Sequence, residues 1–430
     1  MLEASRFDPA VAYAAVDRHR LDDYAPHLYR TRDYGKTWQP ITNGIGANAF
    51  LNVIRQDFQK QGLLFAGTEL GVYVSFDDGD HWQPLQLNLP VTSVRDLKVH
   101  GDDLVIATHG RGFWVLDNFT PLRQVSSNTA TQAVVLFTPA NAYRVDNDAF
   151  LGTPLPPEEP TAKNPPDGAM VDYYLDSKAS QVTLDIYDQN GALVRHVASG
   201  QKPATHPPLP IAERWFPEPS VLETSPGMHR YVWDLRWKSS GDAELGDDDE
   251  DSYGSPPGPR TVPATYAVKL TVDGKSYKQP LKVGMDPRSS ATSEVLQDQL
   301  RLALQIYGEA LQTRAALKEI DAAGKRFAEN KRQLQASHPD LLPQLTAVES
   351  AMNAIKTGTP GPPGTISGLT AANAGLLSAL RAVESGDRTP PAQALEVYRL
   401  SSEAAKSSLE EWKKLQAGAL AQFDKTPQAR

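Results

Sequence analysis

Three carboxylates and four basic groups near the start of this chain fall in turns rather than in strands, where they are free to meet a ligand. Asp22 and Asp23 follow His19 and Arg20 in the loop Asp17-Arg18-His19-Arg20-Leu21-Asp22-Asp23. Glu69 follows Thr68 in a second turn, and His109 and Arg111 flank Gly110 in a third. Two carboxylates facing one cleft can hydrolyse a glycosidic bond when roughly 5–5.5 or 6.5–9.5 Å separates them. Glu69 with Asp22 or Asp23 is the pair that could fill those catalytic roles. Arg and His on the same rim would instead bind a sugar or an acidic group. That use makes His19, Arg20, Glu69, His109 and Arg111 the candidate ligand contacts. A third use is plain: such charges solvate loops and bond to backbone.

Two motifs indicate what holds these turns. Thr31-Arg32-Asp33-Tyr34-Gly35-Lys36-Thr37-Trp38 and Ser75-Phe76-Asp77-Asp78-Gly79-Asp80-His81-Trp82 both read Ser/Thr-x-Asp-x-Gly-x-x-Trp, about 44 residues apart. That distance is the period of one propeller blade. In each box Asp33 or Asp77 can accept backbone N–H bonds, and Gly35 or Gly79 supplies a positive φ without steric cost. Thr31, Thr37 and Ser75 complete the polar set, and Trp38 and Trp82 are expected to fold back over the turn as apolar plugs. The Asp-boxes are therefore structural, and their carboxylates point into turns.

Around the boxes the chain repeats. Leu64 to Glu69 then Gly71 to Ser75 is echoed by Leu104 to His109 then Gly112 to Leu116, at an offset of about 40. Leu51–Arg55 and Val94–Val99 supply inner strands. A blade then reads as strand A at Val53, B at Phe65, C at Tyr73, the box, and D at Trp82. The first unit is expected to begin at strand B, with Val11–Val16 a buried strand lacking a partner before it. The third unit carries Asp117-Asn118-Phe119 where its box would be. The expected fold over residues 1–125 is an all-β partial propeller of about three blades, against the four or more that closure needs. Ligands would bind at the end opposite the boxes.

Residues 131–287 carry short strands separated by turn signals, chiefly Asn190-Gly191 and Asp273-Gly274, each expected to make a two-residue type I′ hairpin. An immunoglobulin-like β-sandwich is expected here. Its acidic, Pro-rich stretch 239–263 reads as a disordered insertion. Trp215, Trp233 and Trp237 could stack on sugars or pack in a core. From Ser293 the apolar period becomes helical. Leu296, Leu300, Leu304, Tyr307 and Leu311 form one stripe; Leu341, Leu345, Val348, Met352 and Ile355 another; Leu369, Ala372, Leu376, Leu380 and Val383 a third; Leu395, Tyr398, Ala405, Leu409 and Trp412 a fourth. An antiparallel α-helical bundle over residues 290–424 is expected, with Thr389-Pro390 starting its last helix.

Bulk properties exclude several function classes. The 430 residues carry a net charge of -9, which argues against a nucleic-acid surface. There is no cysteine, so thiol chemistry and Cys-ligated metals are absent. No phosphate loop, Ser-His-Asp arrangement or metal-spaced His cluster appears, and no metal or cofactor is expected. No apolar run reaches membrane-spanning length, and the opening residues, without a basic-then-apolar pattern, are not expected to act as a signal peptide.

The two boxes, Gly71–Gly79 and Ala107-Thr108-His109-Gly110-Arg111 resemble Asp-box (BNR-repeat) β-propeller proteins, whose bacterial members are glycosyl hydrolase-like or sortilin-like (Vps10-type). Sialidases and xyloglucan-cleaving glycosidases share the box. The resemblance implies an extracellular or periplasmic protein. His81 replaces the usual Thr of the second box, and the third box is missing. A propeller site draws on several blades, so the favoured expectation is a non-catalytic binding or scaffold protein. Its partner would be the remaining blades, another protein chain, a carbohydrate or a peptide. A glycoside hydrolase fragment and a sortilin-like peptide-binding propeller are the alternatives.

Overall fold

The computed structural model describes residues 1–145, 164–201, 221–237, 258–337, 341–362 and 364–421. Residues 239–257 of the acidic stretch and Trp215 lie outside the described residues. Residues 1–116 form three antiparallel sheets in chain order. Sheet I comprises β1 (Leu2–Ala4), β2 (Ala12–Val16), β3 (His27–Thr31) and β4 (Gln39–Pro40). Sheet II comprises β5 (Leu51–Gln56), β6 (Leu64–Thr68), β7 (Val72–Ser75) and β8 (Gln83–Pro84). Sheet III has β9 (Val94–His100), β10 (Asp103–Thr108) and β11 (Phe113–Leu116), and α1 (Thr120–Gln124) follows it.

The first unit does have an inner strand. Leu2, Glu3 and Ala4 pair with Ala14, Tyr13 and Ala12, so Val11–Val16 does not lack a partner. The strand is three residues long with Glu3 at its centre, too short for alternation to reveal. Nor is β2 buried on both faces: Tyr13 and Ala15 are enclosed, while Val16 is 38% exposed. Tyr13, Ala15 and Leu28 pack against Leu51, Ile54, Leu64 and Ala66 of sheet II. The opposite face of sheet II, with Val53, Phe65 and Val74, packs on Val94, Leu97, Leu104 and Ile106 of sheet III. Each sheet thus buries one face against the next, the stacking expected of a propeller-type section. Gly67 shows how close that approach is, since a Cβ there would lie 2.6 Å from Val53 and 2.7 Å from Val94.

The middle section holds two sheets around one core. The smaller has the order β12 (Val134–Leu136), β14 (Ala169–Leu175), β17 (Gly227–Trp233); the larger runs β13 (Ala142–Arg144), β19 (Lys275–Met285), β18 (Ala264–Val272), β15 (Val182–Tyr187), β16 (Leu193–Ala198). Trp233 is fully buried between them, 5.3 Å from the Tyr266 ring, and its indole N–H donates to Arg236 O. Trp233 is therefore a core residue and unavailable to stack on a sugar. The Asp273-Gly274 turn has positive φ at both residues, 46° and 86°, as a type I′ turn needs. The Asn190-Gly191 turn differs. Only Gly191 has positive φ there, and the Asp188 carboxylate accepts the backbone N–H groups of Asn190 and Ala192 at 2.9 and 2.8 Å. That bonding favours a longer turn with a ladder irregularity at Ile186/Tyr187.

Four described helices follow: α2 (Ser293–Ser337), α3 (Leu342–Thr357), α4 (Gly368–Val383) and α5 (Ala392–Leu415). The expected stripes hold on α3 and α4. On α2 the enclosed positions include Leu296, Gln299, Ala303, Ile306, Tyr307 and Ala310, whereas Leu300, Leu304 and Leu311 are only half-buried. On α5 they are Ala394, Ser401, Ser402, Ala405, Ser408 and Trp412, while Leu395 is 43% exposed. Small residues win these seams because helices approach more closely over them. A Cβ on Gly375 of α4 would lie 2.1 Å from Ser401 Oγ of α5. Pro391, rather than Thr389, precedes the first turn of α5.

One buried ion pair joins the middle section to the helices. Arg144, at the end of β13, reaches Asp387 between α4 and α5 at 2.7 and 3.0 Å, with 3% and 7% of the side chains exposed. Gln299 accepts a further Arg144 N–H at 3.1 Å and donates to Val383 O and Gly386 O. Arg236 and the backbone of Arg260 bond Glu384 beside it. Removing one member of a buried pair strands the other charge. Asp387→Ala is expected to cost about 3 kcal/mol, read as a lower urea midpoint for unfolding of the helical region.

Candidate functional site

Chain geometry first decides which end of the sheets is structural. In the first box Thr31 Oγ donates to Asp33 Oδ1 at 2.8 Å and accepts Gly35 N–H at 2.9 Å. Asp33 accepts Thr37 N–H at 2.8 Å and Thr37 Oγ–H at 2.6 Å. The second box repeats this with Ser75, Asp77 and Gly79, and the His81 ring stands in for the Thr hydroxyl, its Nδ1 2.7 Å from Asp77. So the His81 substitution preserves the box. The Thr37 bonds hold the Asp33 carboxyl below its ordinary range. At Asp77 burial opposes ionisation, but the bonds from His81 and Ser75 outweigh it and the net direction is again down.

The two tryptophans do not behave alike. Trp82 is buried, but against sheet I rather than over its own turn: its indole N–H donates to Ile41 O at 2.8 Å and its backbone N–H to Asn43 O at 2.9 Å. Gly79 allows this, since a Cβ there would sit 2.6 Å from Ile41. Trp38 is 40% exposed, with no described sheet on its far side. The box is also a joint between sheets. Arg30, almost wholly buried, bonds Asp78 O at 2.6 Å and the Asp78 carboxylate at 3.2 Å, and Tyr13 O–H donates to the same carboxylate. Burial and that carboxylate push the Tyr13 hydroxyl far up.

The opposite rim carries the candidate residues. His19 opens a single 3-10 turn, His19–Leu21, which Asp22 ends in the left-handed region at φ 60°. Asp17 accepts His19 N–H at 3.0 Å and lies 2.6 Å from its Nδ1. The His19 ring stacks on Phe50 at 4.8 Å, and Tyr24 leans on the same ring at 6.2 Å. Glu69 N–H donates to Phe50 O at 3.0 Å, while its carboxylate accepts Ser93 Oγ–H at 2.7 Å and faces Arg95 at 3.6 Å. His109 N–H donates to Ser93 O at 2.8 Å. Thr108 holds its turn by donating to Gly112 O and accepting Arg111 N–H, as Thr68 does for Gly71.

His19, Glu69 and His109 are thus brought into one line by Phe50 and Ser93. Asp23 is not: it turns to His27 at 2.8 Å and Arg18 at 3.2 Å. Arg20, Asp22, His109 and Arg111 are exposed. The His27 ring first, then the Ala25 backbone, holds Asp23 below the ordinary carboxylate range; at Asp17 burial opposes ionisation, but the backbone and ring bonds of His19 together outweigh it and the net direction is again down. Both shifts run opposite to what a general acid needs. Phe50, Ser93, Arg95 and Asp17 were not singled out by the sequence. Phe50 and Ser93 do share a signal: each stands immediately before an inner strand, at Leu51 and Val94. Among the described residues no cluster of three or more metal-ligating side chains occurs. No described helix is long and apolar enough to cross a membrane.

The Sortilin-Vps10 family model (sortilin, neurotensin receptor 3) matches residues 26–129, from β3 through α1. The match spans both boxes, Glu69, His109 and Arg111, and supports a propeller family for this section. Among solved structures the chain is similar to YCF48 bound to D1 peptide, at 16% identity over 27% of this chain and 36% of that one, TM-score 0.21. It is similar to an ancestral GH74 enzyme at 12% identity over 65% and 35%, TM-score 0.22. It is also similar to the extracellular domain of a hybrid two-component system from B. thetaiotaomicron at 10% identity over 61% and 28%, TM-score 0.18. The chain spans about a third of the length of these structures (36%, 35% and 28%). No curated protein matches it.

The box bonds make a pH prediction. A carboxyl held low in the folded chain contributes stability above its unfolded value, near 3.9, and loses it as the pH falls through the folded value. Asp77→Ala is expected to cost about 1–2 kcal/mol at neutral pH by removing the acceptor of the Ser75 Oγ–H and the His81 N–H. The variant should also lose less stability than the parent between about pH 4 and 2, measured by urea titrations at stepped pH.

Proposed function

We propose that this chain is a non-catalytic binding protein whose partner, a peptide or protein segment, docks on the rim formed by His19, Arg20, Glu69, His109 and Arg111. We read its three N-terminal sheets as blades of a partial propeller over residues 1–125. The middle section, 131–287, reads as an immunoglobulin-like sandwich, and residues 290–424 as a helical bundle that spaces or assembles it. One observation carries the binding reading: three of the four rim carboxylates are already engaged, and the fourth, Asp22, faces solvent. Glu69 is taken by Ser93 and Arg95, Asp23 by His27 and Arg18, and Asp17 by His19. Paired acids of this kind orient loops; they do not donate protons to a leaving group. The side chains left exposed toward solvent include Arg20 and Arg111, whose planar forks suit carboxylates.

The family match over residues 26–129 includes Glu69, His109 and Arg111, which favours a peptide or protein over a sugar as the partner. A partner read by exposed arginines should be acidic, and its binding should weaken with salt. Arg20→Glu with Arg111→Glu is expected to lower affinity for an acidic peptide library about tenfold, in fluorescence titrations at 50 and 300 mM salt. The proposal fails if binding is unchanged by the double substitution. It fails equally if the chain releases sugar from xyloglucan or sialoside substrates and Glu69→Gln abolishes that release.

A further inference from the structure

Sheets I and II show what the outer edge of a third strand holds, and among the described residues sheet III lacks it. In sheet I, β3 pairs with β4 through Arg30↔Gln39 and Tyr29↔Pro40; in sheet II, β7 pairs with β8 through Val74↔Gln83 and Tyr73↔Pro84. One more bond closes each pairing, from Ile41 N–H to Leu28 O at 2.9 Å and from Leu85 N–H to Val72 O at 2.8 Å. The covering segment has the same sequence pattern both times, Trp38-Gln39-Pro40-Ile41 and Trp82-Gln83-Pro84-Leu85. Proline fits because an outer strand can spare the N–H that faces away from its neighbour.

Sheet III ends at β11. Its hairpin bond from Thr108 N–H to Gly112 O, at 3.1 Å, repeats the bond from Thr68 N–H to Gly71 O at 2.8 Å. That register sets Phe113 where Val72 stands and Val115 where Val74 stands. Antiparallel alternation then turns the N–H and C=O groups of Phe113 and Val115 away from β10. Among the described residues no backbone group pairs with them. Phe113 is 78% exposed and Val115 51%; Val72 and Val74, at 1% and 3%, are covered by the face of sheet III, which has no described counterpart beyond β11. Among the described residues none supplies the missing strand, and the chain directly after β11 turns off at Asn118 (φ 49°) into α1. Phe119 plugs the junction edge-on to Phe65 at 5.2 Å, and Arg123 reaches back to Asp57 at 2.9 Å.

We propose that the β11 edge is a strand-addition site. It takes an extended segment of Gln-Pro-aliphatic chemistry from another polypeptide. The Gln pairs with Val115, and the aliphatic residue donates its N–H to the Phe113 carbonyl. Main-chain bonds supply the affinity in this mode, and the Phe113 and Val115 side chains supply the apolar contact. The site uses no rim side chain, so it stands independently of the rim proposal.

A labelled peptide copying residues 80–87 of this chain, Asp-His-Trp-Gln-Pro-Leu-Gln-Leu, titrated with the full chain tests it by fluorescence anisotropy. Saturable binding is expected, with slowed hydrogen exchange at the Val115 amide. N-methylating the leucine after proline removes the donor to Phe113 and should weaken binding tenfold or more. The Arg111→Glu variant should bind this peptide as the parent does, which separates the edge from the rim. Absence of saturable binding up to about 1 mM, or equal affinity for the N-methylated peptide, overturns the proposal. Both readings use the unaltered chain, so neither depends on a variant folding.

Discussion

Arginine bonded to carboxylate and carbonyl groups is the constraint on which the assembly of this chain rests. Arg30 ties sheet I to the second box through Asp78. Arg55 ties sheet II to Leu97 O and Asp96 of sheet III. Arg123 returns from α1 to the wholly buried Asp57, and its guanidinium lies 4.5 Å from the Phe119 ring. Arg230, paired with Asp172, bonds Asp117 O and Asn118 O where sheet III meets the middle section. Arg144 makes the last joint with Asp387. A planar fork with five donors can satisfy a carboxylate and a backbone carbonyl together, which suits a joint better than a single-point lysine. Such pairs add little net stability over apolar packing, but a wrong arrangement leaves a buried charge alone, so they fix the register of the parts.

The boxes and the rim divide the work along each sheet. At one end, short bonds from Asp33 and Asp77 lock the turns, and Asp78 and Trp82 fasten one sheet to the last. At the other end, the turns hang from the residue just before each inner strand: Glu69 on Phe50, and His109 on Ser93. The rim is therefore positioned by backbone bonds. Paired side chains such as Glu69 with Ser93 and Asp17 with His19 orient the turns further, while Arg20, His109 and Arg111 face solvent.

Much of this was legible in the residues, for identifiable reasons. The boxes are local: every partner of Asp33 lies within four residues of it. The Asp273-Gly274 hairpin and the α3 and α4 stripes are local as well. What failed depended on neighbours. Leu2–Ala4 is too short to read as a strand until Tyr13 gives it a partner. The α2 seam runs over Ala303 and Ala310 rather than its leucines because Ala372 and Leu376 of α4 share that cluster. Asp188 overrode the Asn190-Gly191 signal with its own bonds to the turn. On the rim, Glu69 and His109 were visible as polar turn residues, whereas Ser93 and Phe50 became meaningful only once their bonds were seen.

Sequence alone determined the repeat: its period, its box turns and the end at which each turn falls. These follow from contacts a few residues apart, where residue type largely dictates backbone shape. Only the tertiary structure decided which box tryptophan is covered, which carboxylates are already paired, and that β11 ends its sheet with an open edge. Those outcomes turn on groups far apart in the chain, such as Trp82 with Ile41, Asp57 with Arg123 and Arg144 with Asp387. No local pattern encodes such pairings, because burial and charge compensation are properties of the packed chain.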